Sequence, residues 1–268
     1  MYLLSKSTGL SSYLWGDGCH EPGFMWLLRK KSEGDLALDI GANIGYSTLS
    51  LCKNMKKVIA IEPDNRSRRA LYKNIKLNNF NEKVEICKFA ISNDRGEKTF
   101  YLSKYPNLSA FNKSEKYWTK KKIVETKTID DLNVLPNFIK MDLEGHELEV
   151  IEGGMRSLLK TNFCRILLEV HPQFYNKDRN FANTLKDLVK IGFKIKYIIS
   201  AGIIRPQKFK EKNYKPFKVV KTSKFKRGIY TNISTEDAIK FSTREYKSPS
   251  GKNTGKIVRA IMLEKNKE

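Results

Sequence analysis

Hydrophobic residues follow two alternating patterns along most of this chain. Short β-branched runs, typical of buried strands, are separated by longer amphipathic segments between residues 36 and 199. This alternation predicts βαβ units stacked into a mostly parallel sheet. The predicted parallel strands are 36–40, 58–62, 84–90, 138–142 and 165–170, with 193–199 as a sixth. The predicted helices between them are 46–54, 66–78, 148–159 and 181–191.

The alternation is interrupted twice. Residues 100–128 are polar and aromatic, which predicts a loop or small hairpin over the top of the sheet. Residues 203–227 show no periodicity and predict an inserted surface loop, after which we expect a short helix (234–242, capped by Ser234 or Thr235) and a last strand (256–263). The expected organisation is a single domain 1–268, made of an N-terminal cap segment (1–34), a cofactor-binding core (35–199), a basic inserted loop (200–230), and a C-terminal helix and last strand (231–268).

The densest motif is Leu-Ala-Leu-Asp-Ile-Gly-Ala-Asn-Ile-Gly at residues 36–45. A strand that ends in Asp39 leads into a turn where Gly41 and Gly45 let the backbone approach a ligand closely. Glu62 ends the next strand, where a carboxylate can accept hydrogen bonds from both hydroxyls of a ribose. This spacing indicates a nucleotide-type site but does not separate a dinucleotide from S-adenosylmethionine. Asp39 favours the latter, because a carboxylate attracts an α-ammonium group and repels a pyrophosphate.

Four segments in this order, 39–45, 61–64, 139–145 and 168–172, resemble the FkbM-type methyltransferases, and the resemblance covers residues 21–193. It implies a class I methyltransferase fold, which is a Rossmann-like, doubly wound α/β domain with a mostly parallel, seven-stranded sheet and an antiparallel last strand. It also implies S-adenosylmethionine as methyl donor and a hydroxyl of a sugar, glycan or other small molecule as acceptor. The segment 203–227 has no counterpart in the family pattern.

The resemblance assigns cofactor contacts to individual positions. The methionine portion is expected to lie among Asp39, Gly41, Asn43, Gly45 and Asp142, the ribose on Glu62, and the adenine between Asp64 and Ala90. For Asp64 a second interpretation stays open, since an Asp that follows a proline and precedes a helix is an ordinary N-cap.

Candidate catalytic residues follow the fourth and fifth predicted strands, because ligands of doubly wound folds bind beyond the carboxyl ends of the strands. Asp142 and Glu144 follow the fourth strand, and Glu169 and His171 finish the fifth. We expect His171 to be the general base, because an imidazole with a pKa near 6.5 accepts a proton at neutral pH; His146 ranks second. A second mechanism uses Asp142 and Glu169 as ligands of Mg²⁺, which then binds the acceptor oxygen.

The fourth strand also lacks a motif. Methyltransferases that act on amino groups of bases place Asn-Pro-Pro-Tyr or Asp-Pro-Pro-Tyr after this strand, whereas this chain has Asp142-Leu-Glu-Gly-His. Oxygen is therefore the expected acceptor atom.

Charge adds a further expectation. The chain carries 51 Lys+Arg and 29 Asp+Glu, a net charge of +22, and residues 200–268 alone hold 18 basic and 6 acidic residues. Within 203–227, four aromatic side chains alternate with eight lysines and two arginines, a composition suited to stacking and phosphate contact or simply to a solvated surface. Three anionic partners suit the former: a phosphorylated small molecule such as a nucleotide sugar, a lipid-linked glycan at an anionic membrane surface, and RNA.

Two enzymatic hypotheses follow. The first is O-methylation of a hydroxyl of a sugar, glycan or other small molecule, with or without a phosphate, with the basic loop beside the rim of the active site. The alternative is an RNA 2′-O-methyltransferase whose basic loop binds the backbone. A non-catalytic module is disfavoured by intact Asp39, Gly41, Gly45 and Glu62. Four separated cysteines, the lack of a signal-peptide pattern and the lack of a long apolar run predict a reduced, cytoplasmic protein. Its oligomeric state is left open.

Overall fold

In a computed structural model of the chain, the described residues are 10, 14, 18–112, 118–175, 178–243, 245–247 and 253–266. The strands are β1 Gly34–Ile40, β2 Met55–Ile61, β3 Val84–Cys87, β4 Ala90–Ile91, β5 Gly96–Ser103, β6 Trp118–Lys127, β7 Phe138–Met141, β8 Phe163–Glu169, β9 Lys194–Ser200, β10 Lys218–Lys221, β11 Lys226–Tyr230, β12 Glu245–Lys247, β13 Asn253–Lys256 and β14 Val258–Asn266. The helices are α1 Pro22–Lys31, α2 Tyr46–Leu51, α3 Asn65–Leu77, α4 Glu147–Glu152, α5 Met155–Lys160, α6 Phe181–Lys190, α7 Gln207–Glu211 and α8 Thr235–Thr243. Short 3₁₀ turns cover Asn81–Lys83, Pro106–Leu108, Asp130–Leu132 and Pro172–Phe174.

The main sheet of the described part of the chain has nine strands in the order β10-β11-β9-β14-β8-β7-β1-β2-β3. Strands β3, β2, β1, β7 and β8 pair in parallel, and β14 lies antiparallel between β8 and β9. This is the strand arrangement of a class I methyltransferase, so the predicted fold class is confirmed. The sheet is larger than the predicted seven strands, because the antiparallel pair β10 and β11 extends it beyond β9.

The central strands are buried on both faces, which explains their continuous apolar runs. Successive side chains of a strand point to opposite faces. In β1, Leu38 and Ile40 accordingly belong to the core under helices α4 to α6, whereas Ala37 belongs to the core under α1 and α2. Each of these helices presents an apolar side to the sheet, and the packing of both layers leaves the carboxyl ends of the strands open for a site.

Two predicted elements are divided in the structure. The predicted strand 84–90 ends at Cys87, and Ala90–Ile91 pairs instead with β6 in a separate three-stranded sheet of order β4-β6-β5. The predicted helix 148–159 is two helices, broken at Gly153 and Gly154. A Cβ on Gly153 would lie 2.1 Å from the carbonyl oxygen of Ser92, so the backbone here packs too closely for any other residue.

The interruption at 100–128 is a hairpin, one of the two predicted forms. Strands β5 and β6 pair antiparallel from Gly96–Thr126 to Ser103–Trp118. The segment that follows β5 folds back on it through a bridge between Tyr101 and Ala110. Residues 104–112 thereby lie beside the carboxyl ends of the central strands and contribute to the cavity described below.

The prediction of a surface loop over 203–227 is wrong. The segment contains helix α7, strand β10 and the start of β11. Phe209 of α7 is fully buried, with its ring centroid 4.6 Å from that of Tyr230 and 5.0 Å from that of Phe241. The segment is therefore anchored to the core by an aromatic cluster, although its lysines face solvent.

The elements that follow match their predictions more closely. Helix α8 covers the predicted 234–242, and Ser234 Oγ accepts a hydrogen bond from the Asp237 N–H (3.2 Å) as an N-cap. The last strand, β14, runs a few residues later than predicted. In the part of the chain that the structure describes, no helix is both long and apolar enough to cross a bilayer.

Candidate active site

A cavity of about 630 Å³ opens at the carboxyl ends of β1, β2, β7 and β8, where a doubly wound fold binds its ligand. A cavity of this volume can hold a ligand of nucleotide size. The strand ends supply Gly41, Ala42, Asn43, Glu62, Pro63, Asp142, Leu143, Glu144, Glu169 and His171. The walls are completed by the N-terminal residues His20 and Glu21, the hairpin residues 105–111, and Arg259 of β14.

The glycine turn after β1 forms one side of this cavity. Gly41 has φ +76°, and a Cβ there would lie 2.5 Å from the carbonyl oxygen of Asp142. Only glycine therefore lets the turn pass between the ends of β2 and β7. Asn43 has φ +50°, and its backbone N–H donates to Glu62 Oε2 (2.8 Å). Both residues line the cavity, as predicted.

Glu62 is fixed by two backbone donors. Oε2 accepts from Asn43 and Oε1 accepts from the Asp64 N–H (2.7 Å), while the carboxylate borders the cavity. Burial raises the pKa of Glu62 to about 7, although the bond from the Asp64 N–H opposes this rise. Two oxygens held side by side against a cavity suit the vicinal hydroxyls of a ribose.

Asp39 does not reach the cavity, so its predicted contact with the cofactor needs correction. Its side chain is fully buried, where it accepts from Ser47 Oγ (2.8 Å) and Thr48 Oγ1 (2.6 Å). The ammonium of Lys140 lies 3.2 Å from its other oxygen and also donates to the Gly41 carbonyl (2.7 Å). Asp39 therefore supports the glycine turn through Lys140 and does not border the cavity.

Two other predicted contact residues are structural. Gly45 has φ +92°, and a Cβ there would lie 2.7 Å from Leu71 Cδ1, so it allows α2 to pack on α3. Asp64 caps α3 by accepting from the Arg66 N–H (2.9 Å) and also accepts from Ser109 Oγ (3.2 Å), which favours the N-cap interpretation. Ala90, by contrast, lines the cavity as predicted.

His171 lies among carboxylates. Its Nδ1 is 2.8 Å from Glu147 Oε1, and its Nε2 is 3.2 Å from Glu169 Oε1 and 3.6 Å from Glu144 Oε2. Burial alone would lower the pKa of His171, but Glu147 and Glu169 outweigh it and raise the pKa to about 10. A doubly protonated ring cannot accept another proton, so this arrangement weighs against the predicted role of His171 as general base.

Glu147 was not singled out in the sequence, yet it is the residue that fixes His171. It is completely buried and also accepts from Tyr175 Oη (3.2 Å) and from the backbone N–H groups of Leu143 (3.2 Å) and Gly145 (3.3 Å). Burial would raise its pKa, but His171 and these donors lower it, so Glu147 is a carboxylate. The only sequence signal for it is its position in the first turn of α4, where acidic residues are common.

Glu144 faces the cavity in an unusual backbone conformation. It has φ +50°, which a non-glycine residue adopts only when its surroundings impose it, and such residues cluster at functional sites. Its carbonyl accepts from Asn112 Nδ2 (3.0 Å), and its side chain is about one quarter exposed. Burial raises the pKa of Glu144 to about 7, against the lowering effect of the charged His171. This carboxyl gains and loses its proton near neutral pH.

Asp142 also lines the cavity, where the prediction placed it. Burial and the charge of Glu169 raise its pKa. In the described residues, oxygens of Asp142 and Glu144 and a ring nitrogen of His171 lie within 4.8 Å of one another, a spacing that a metal ion could bridge. However, Nδ1 of His171 faces Glu147 and Nε2 faces Glu169, so both nitrogens carry protons and neither offers a lone pair to a metal ion. Glu169 is also paired with Arg259.

Arg259 was missed by the sequence analysis, and it links this cluster to the N-terminal part of the chain. Its Nη2 lies 2.8 Å from Glu169 Oε1, and its Nε lies 3.2 Å from Glu21 Oε1. Glu21 also pairs with Arg227 Nη2 of β11 (3.0 Å). A single arginine in the last strand carries no recognisable motif, so only the fold reveals this network.

His146, the second predicted base, borders the cavity but is packed against the hairpin residue Phe111. It is buried, with Nε2 3.1 Å from Ser92 Oγ, and its ring centroid is 4.1 Å from that of Phe111. Burial lowers its pKa to about 3, so the ring is neutral and a poor proton acceptor.

Comparison with known proteins agrees with this fold. The profile of the family described as "Methyltransferase FkbM domain" matches residues 39–195. The hexuronic acid methyltransferase AglP of Haloferax volcanii is 30% identical over 158 residues, which make up 57% of this chain and 62% of that protein. The chain thus matches less than two thirds of that relative's length.

The solved structures that resemble this chain are more distant. A crystal structure of methyltransferase FkbM from Methylobacillus flagellatus shares 19% identity, with a TM-score of 0.42 and coverage of 57% of this chain and 37% of its own. A SAM-dependent O-methyltransferase of Thermotoga maritima shares 15% identity, with a TM-score of 0.43 and coverage of 92% and 64%. Because the family profile spans more than half of the 268 residues, this chain belongs to the FkbM methyltransferase family.

Proposed function

We propose that this protein transfers a methyl group from S-adenosylmethionine to a hydroxyl oxygen of a sugar, and that a hexuronic acid is the first acceptor to test. The observation that carries the proposal is the presence of Glu62 and Glu144 in one cavity of about 630 Å³, beyond the ends of β2 and β7 on either side of β1. Glu62 is arranged to bind a ribose, and Glu144 to exchange a proton near neutral pH. The hexuronic acid comes from the relative AglP, whose name states that substrate class.

The residues present fit the cofactor. The Gly41 turn gives backbone access, Asn43 and Glu62 offer polar groups, and Ala90 leaves an apolar surface for a flat base. When bound, S-adenosylmethionine would supply an electrophilic methyl group, whose bond to sulfur breaks in the transfer with S-adenosylhomocysteine as the leaving group. The chain's own part is to hold the ribose on Glu62 and to hold the acceptor hydroxyl in line with that methyl group.

Glu144 is the proposed general base. As the acceptor oxygen forms its bond to carbon, the hydroxyl proton passes to the Glu144 carboxylate. His171 stays protonated and acts as a positioning residue, because it lies between Glu147, Glu169 and Glu144 and offsets part of their charge. Asp142, which lines the same wall, is placed to accept a hydrogen bond from the acceptor or from the cofactor's ammonium group.

The Mg²⁺ mechanism is a separate proposal with a simple test. Its two predicted ligands differ in the structure, since Asp142 borders the cavity whereas Glu169 is already paired with Arg259 and His171. Turnover that persists in excess EDTA would exclude this mechanism. Turnover that EDTA abolishes and Mg²⁺ restores would replace the general-base mechanism by a metal-assisted one.

The deciding experiment is a methyl-transfer screen with isotopically labelled S-adenosylmethionine. The acceptors are glucuronic acid, its methyl glycoside, the matching neutral glucosides and a short RNA, and mass spectrometry locates the added methyl group. We expect label on a sugar hydroxyl and none on RNA. Label on a ring or exocyclic nitrogen, or on RNA ribose alone, would overturn the proposal.

A further inference from the structure

The charges of the protein are separated between the cavity and a neighbouring hairpin. We define the basic hairpin as strands β10 and β11 with the turn 222–225 between them. Residues 218–226 include the exposed lysines Lys218, Lys221, Lys224 and Lys226 and no acidic residue. The cavity, in contrast, is bordered by the carboxylates of Glu21, Asp142, Glu144 and Glu169.

The sheet register places the tip of this hairpin on the side where the cavity opens. Strand β9 runs parallel to β8, since both pair antiparallel with β14, and β9 ends at Ser200. Strand β11 pairs antiparallel with β9 through Ile229 and Ile199, so its Lys226 end and the turn extend beyond Ser200. The hairpin tip therefore projects past the carboxyl edge of the sheet.

Two contacts join the tip to the cavity wall. The ring of Phe225 lies 5.8 Å from the ring of His20, and Arg227 pairs with Glu21 at 3.0 Å. His20 and Glu21 both line the cavity, whereas none of its described lining residues comes from 203–227. The hairpin tip therefore contacts residues that line the cavity without lining it itself.

This separation constrains where an anionic group of the acceptor binds. In the cavity, His171 pairs with Glu147 and Glu169, Arg259 pairs with Glu21 and Glu169, and Lys140 pairs with Asp39. A phosphate in the cavity would therefore compete with these carboxylates for each of these cations. At the hairpin tip a phosphate meets ammonium groups that each donate charge-assisted hydrogen bonds. The acceptor hydroxyl suits the cavity carboxylates as a hydrogen-bond donor.

We propose that the basic hairpin binds the pyrophosphate group of an activated sugar whose hydroxyl-bearing ring enters the cavity. The inference rests on the proposed function and specifies its substrate class as a sugar joined to pyrophosphate. That chemistry has two sources, a nucleoside diphosphate sugar and a sugar linked through pyrophosphate to a long-chain isoprenoid alcohol.

The first test is binding of inorganic pyrophosphate, which needs no turnover. The test variant is K221Q/K224Q/K226Q, and the control K76Q/K186Q/K240Q removes the same charge from exposed positions of α3, α6 and α8. We expect the hairpin variant to bind pyrophosphate roughly 10-fold or more weakly than wild type and to lose most of the salt dependence, with the control unchanged. Equal affinity in wild type and hairpin variant, or an equal loss in both variants, would overturn the proposal.

The second test is kinetic. For glucuronic acid carried on uridine diphosphate or on isoprenoid pyrophosphate, the hairpin variant should show a KM raised roughly 10-fold or more, with kcat nearly unchanged. Its KM for methyl glucuronide and for S-adenosylmethionine should equal the wild-type values. A KM that rises equally for the phosphate-free glucuronide would overturn the subsite, and the carrier with the lower wild-type KM identifies the source.

The two proposals fail separately. If no uronate is methylated while pyrophosphate binds through the hairpin, the proposed acceptor is wrong and the anion site stands. If uronates are methylated and pyrophosphate binding does not depend on the hairpin lysines, the proposed function is supported and the hairpin inference is wrong. A different result would assign the lysines to RNA and overturn the proposal. In that case a short RNA would bind the wild type but not the hairpin variant, while both proteins would bind pyrophosphate equally.

Discussion

Glu62 is the residue most directly tied to the cofactor. Its pKa of about 7 means that the carboxyl is partly protonated at neutral pH, whereas ribose hydroxyls are best bound by the ionised form. We expect affinity for S-adenosylmethionine to rise between pH 6 and pH 8. Glu62→Gln should weaken binding by about 1–2 kcal/mol at pH 8 and remove that rise.

Isothermal titration calorimetry at several pH values checks this prediction. Glu85→Gln on β3, an exposed carboxyl outside the cavity, is the matched control and should bind like wild type. Equal affinities for Glu62→Gln and wild type at pH 8 would refute the ribose role.

Glu144 and His171 together predict a bell-shaped pH profile. The base must be deprotonated and the histidine protonated, so kcat/KM for the acceptor, measured at saturating S-adenosylmethionine, should rise as pH passes about 7 and fall as pH approaches 10. Glu144→Gln should lower kcat by roughly 10²- to 10⁴-fold and remove the rise near pH 7. Cofactor affinity of this variant should remain that of wild type.

Steady-state kinetics across the pH range, with calorimetry for the cofactor, measures both effects. The control is Glu152→Gln at the end of α4, which lies outside the cavity and should leave the profile intact. If the ascending limb persisted in Glu144→Gln, another carboxyl such as Asp142 would be the base.

At the residue scale the sequence motifs placed Gly41, Asn43, Glu62, Ala90, Asp142, Glu169 and His171 correctly at the cavity. Their roles stay predictions. The motif does not tell which face of β1 carries the Asp39 side chain, so its burial away from the cavity could not be predicted. Oδ2 of Asp39 accepts hydrogen bonds from the hydroxyls of Ser47 and Thr48. The pKa of His171 did not follow from the sequence, because only the fold brings Glu144 and Glu147 to the strand end that carries Glu169 and His171.

Helix α7 provides a test at the scale of elements. Phe209 is the apolar side chain that attaches this five-residue helix to the core, between Tyr230 and Phe241. Phe209→Ala should lower the free energy of unfolding by about 3–5 kcal/mol, the usual cost of deleting a buried phenylalanine ring. Urea denaturation measures it, and exposed Lys210→Ala on the same helix should change stability little. A loss below 1 kcal/mol for Phe209→Ala, on the scale of a surface substitution, would contradict the anchoring role.

The strands and helices of the core were predictable because burial on both faces gives continuous apolar runs. The segment 203–227 was not, because its apolar residues are spread one at a time among lysines. Strand β10 has one half-buried residue, Val220, and otherwise exposed ones, as befits an edge strand. A four-residue strand of that kind has no period that a sequence pattern can reveal.

At the scale of the whole molecule, His171 makes stability depend on pH. Its pKa is about 10 in the folded protein and near 6.5 in an unfolded chain, so the folded state keeps a proton that the unfolded state has lost. This contribution is complete below pH 6.5 and is lost as pH rises through 10. We expect the free energy of unfolding to fall by about 1.4 kcal/mol per pH unit between those values through this group.

Urea denaturation at a series of pH values measures the slope. Glu147→Gln removes the strongest partner of the ring, and its slope in the same range should be flatter. Nitrogen NMR of the ring provides a direct reading. An unprotonated ring nitrogen at pH 7.5 would contradict both the pKa and the slope.

A mostly parallel sheet with an antiparallel last strand followed from the sequence resemblance, but the nine-stranded sheet did not. The insertion adds β10 and β11 to the edge beside β9, where β11 pairs with it through only two residue pairs. The motifs lie in the core, whereas the charged hairpin is tied to the rest of the fold by Arg227 and Phe225. The eight lysines and two arginines of residues 203–227 therefore lie outside the segment that the family profile matches.

The position of β14 has a consequence for how the protein is made. This strand fills the gap between β8 and β9 and brings Arg259 to Glu21 and Glu169, yet residues 201–257 are synthesised between β9 and β14. On the ribosome, the edges of β8 and β9 that pair with β14 therefore remain unpaired until residues 201–257 have been synthesised. Such edges invite pairing with other nascent chains. Slowed translation over 201–257 should accordingly lower the soluble yield, whereas slowing before β8 should not.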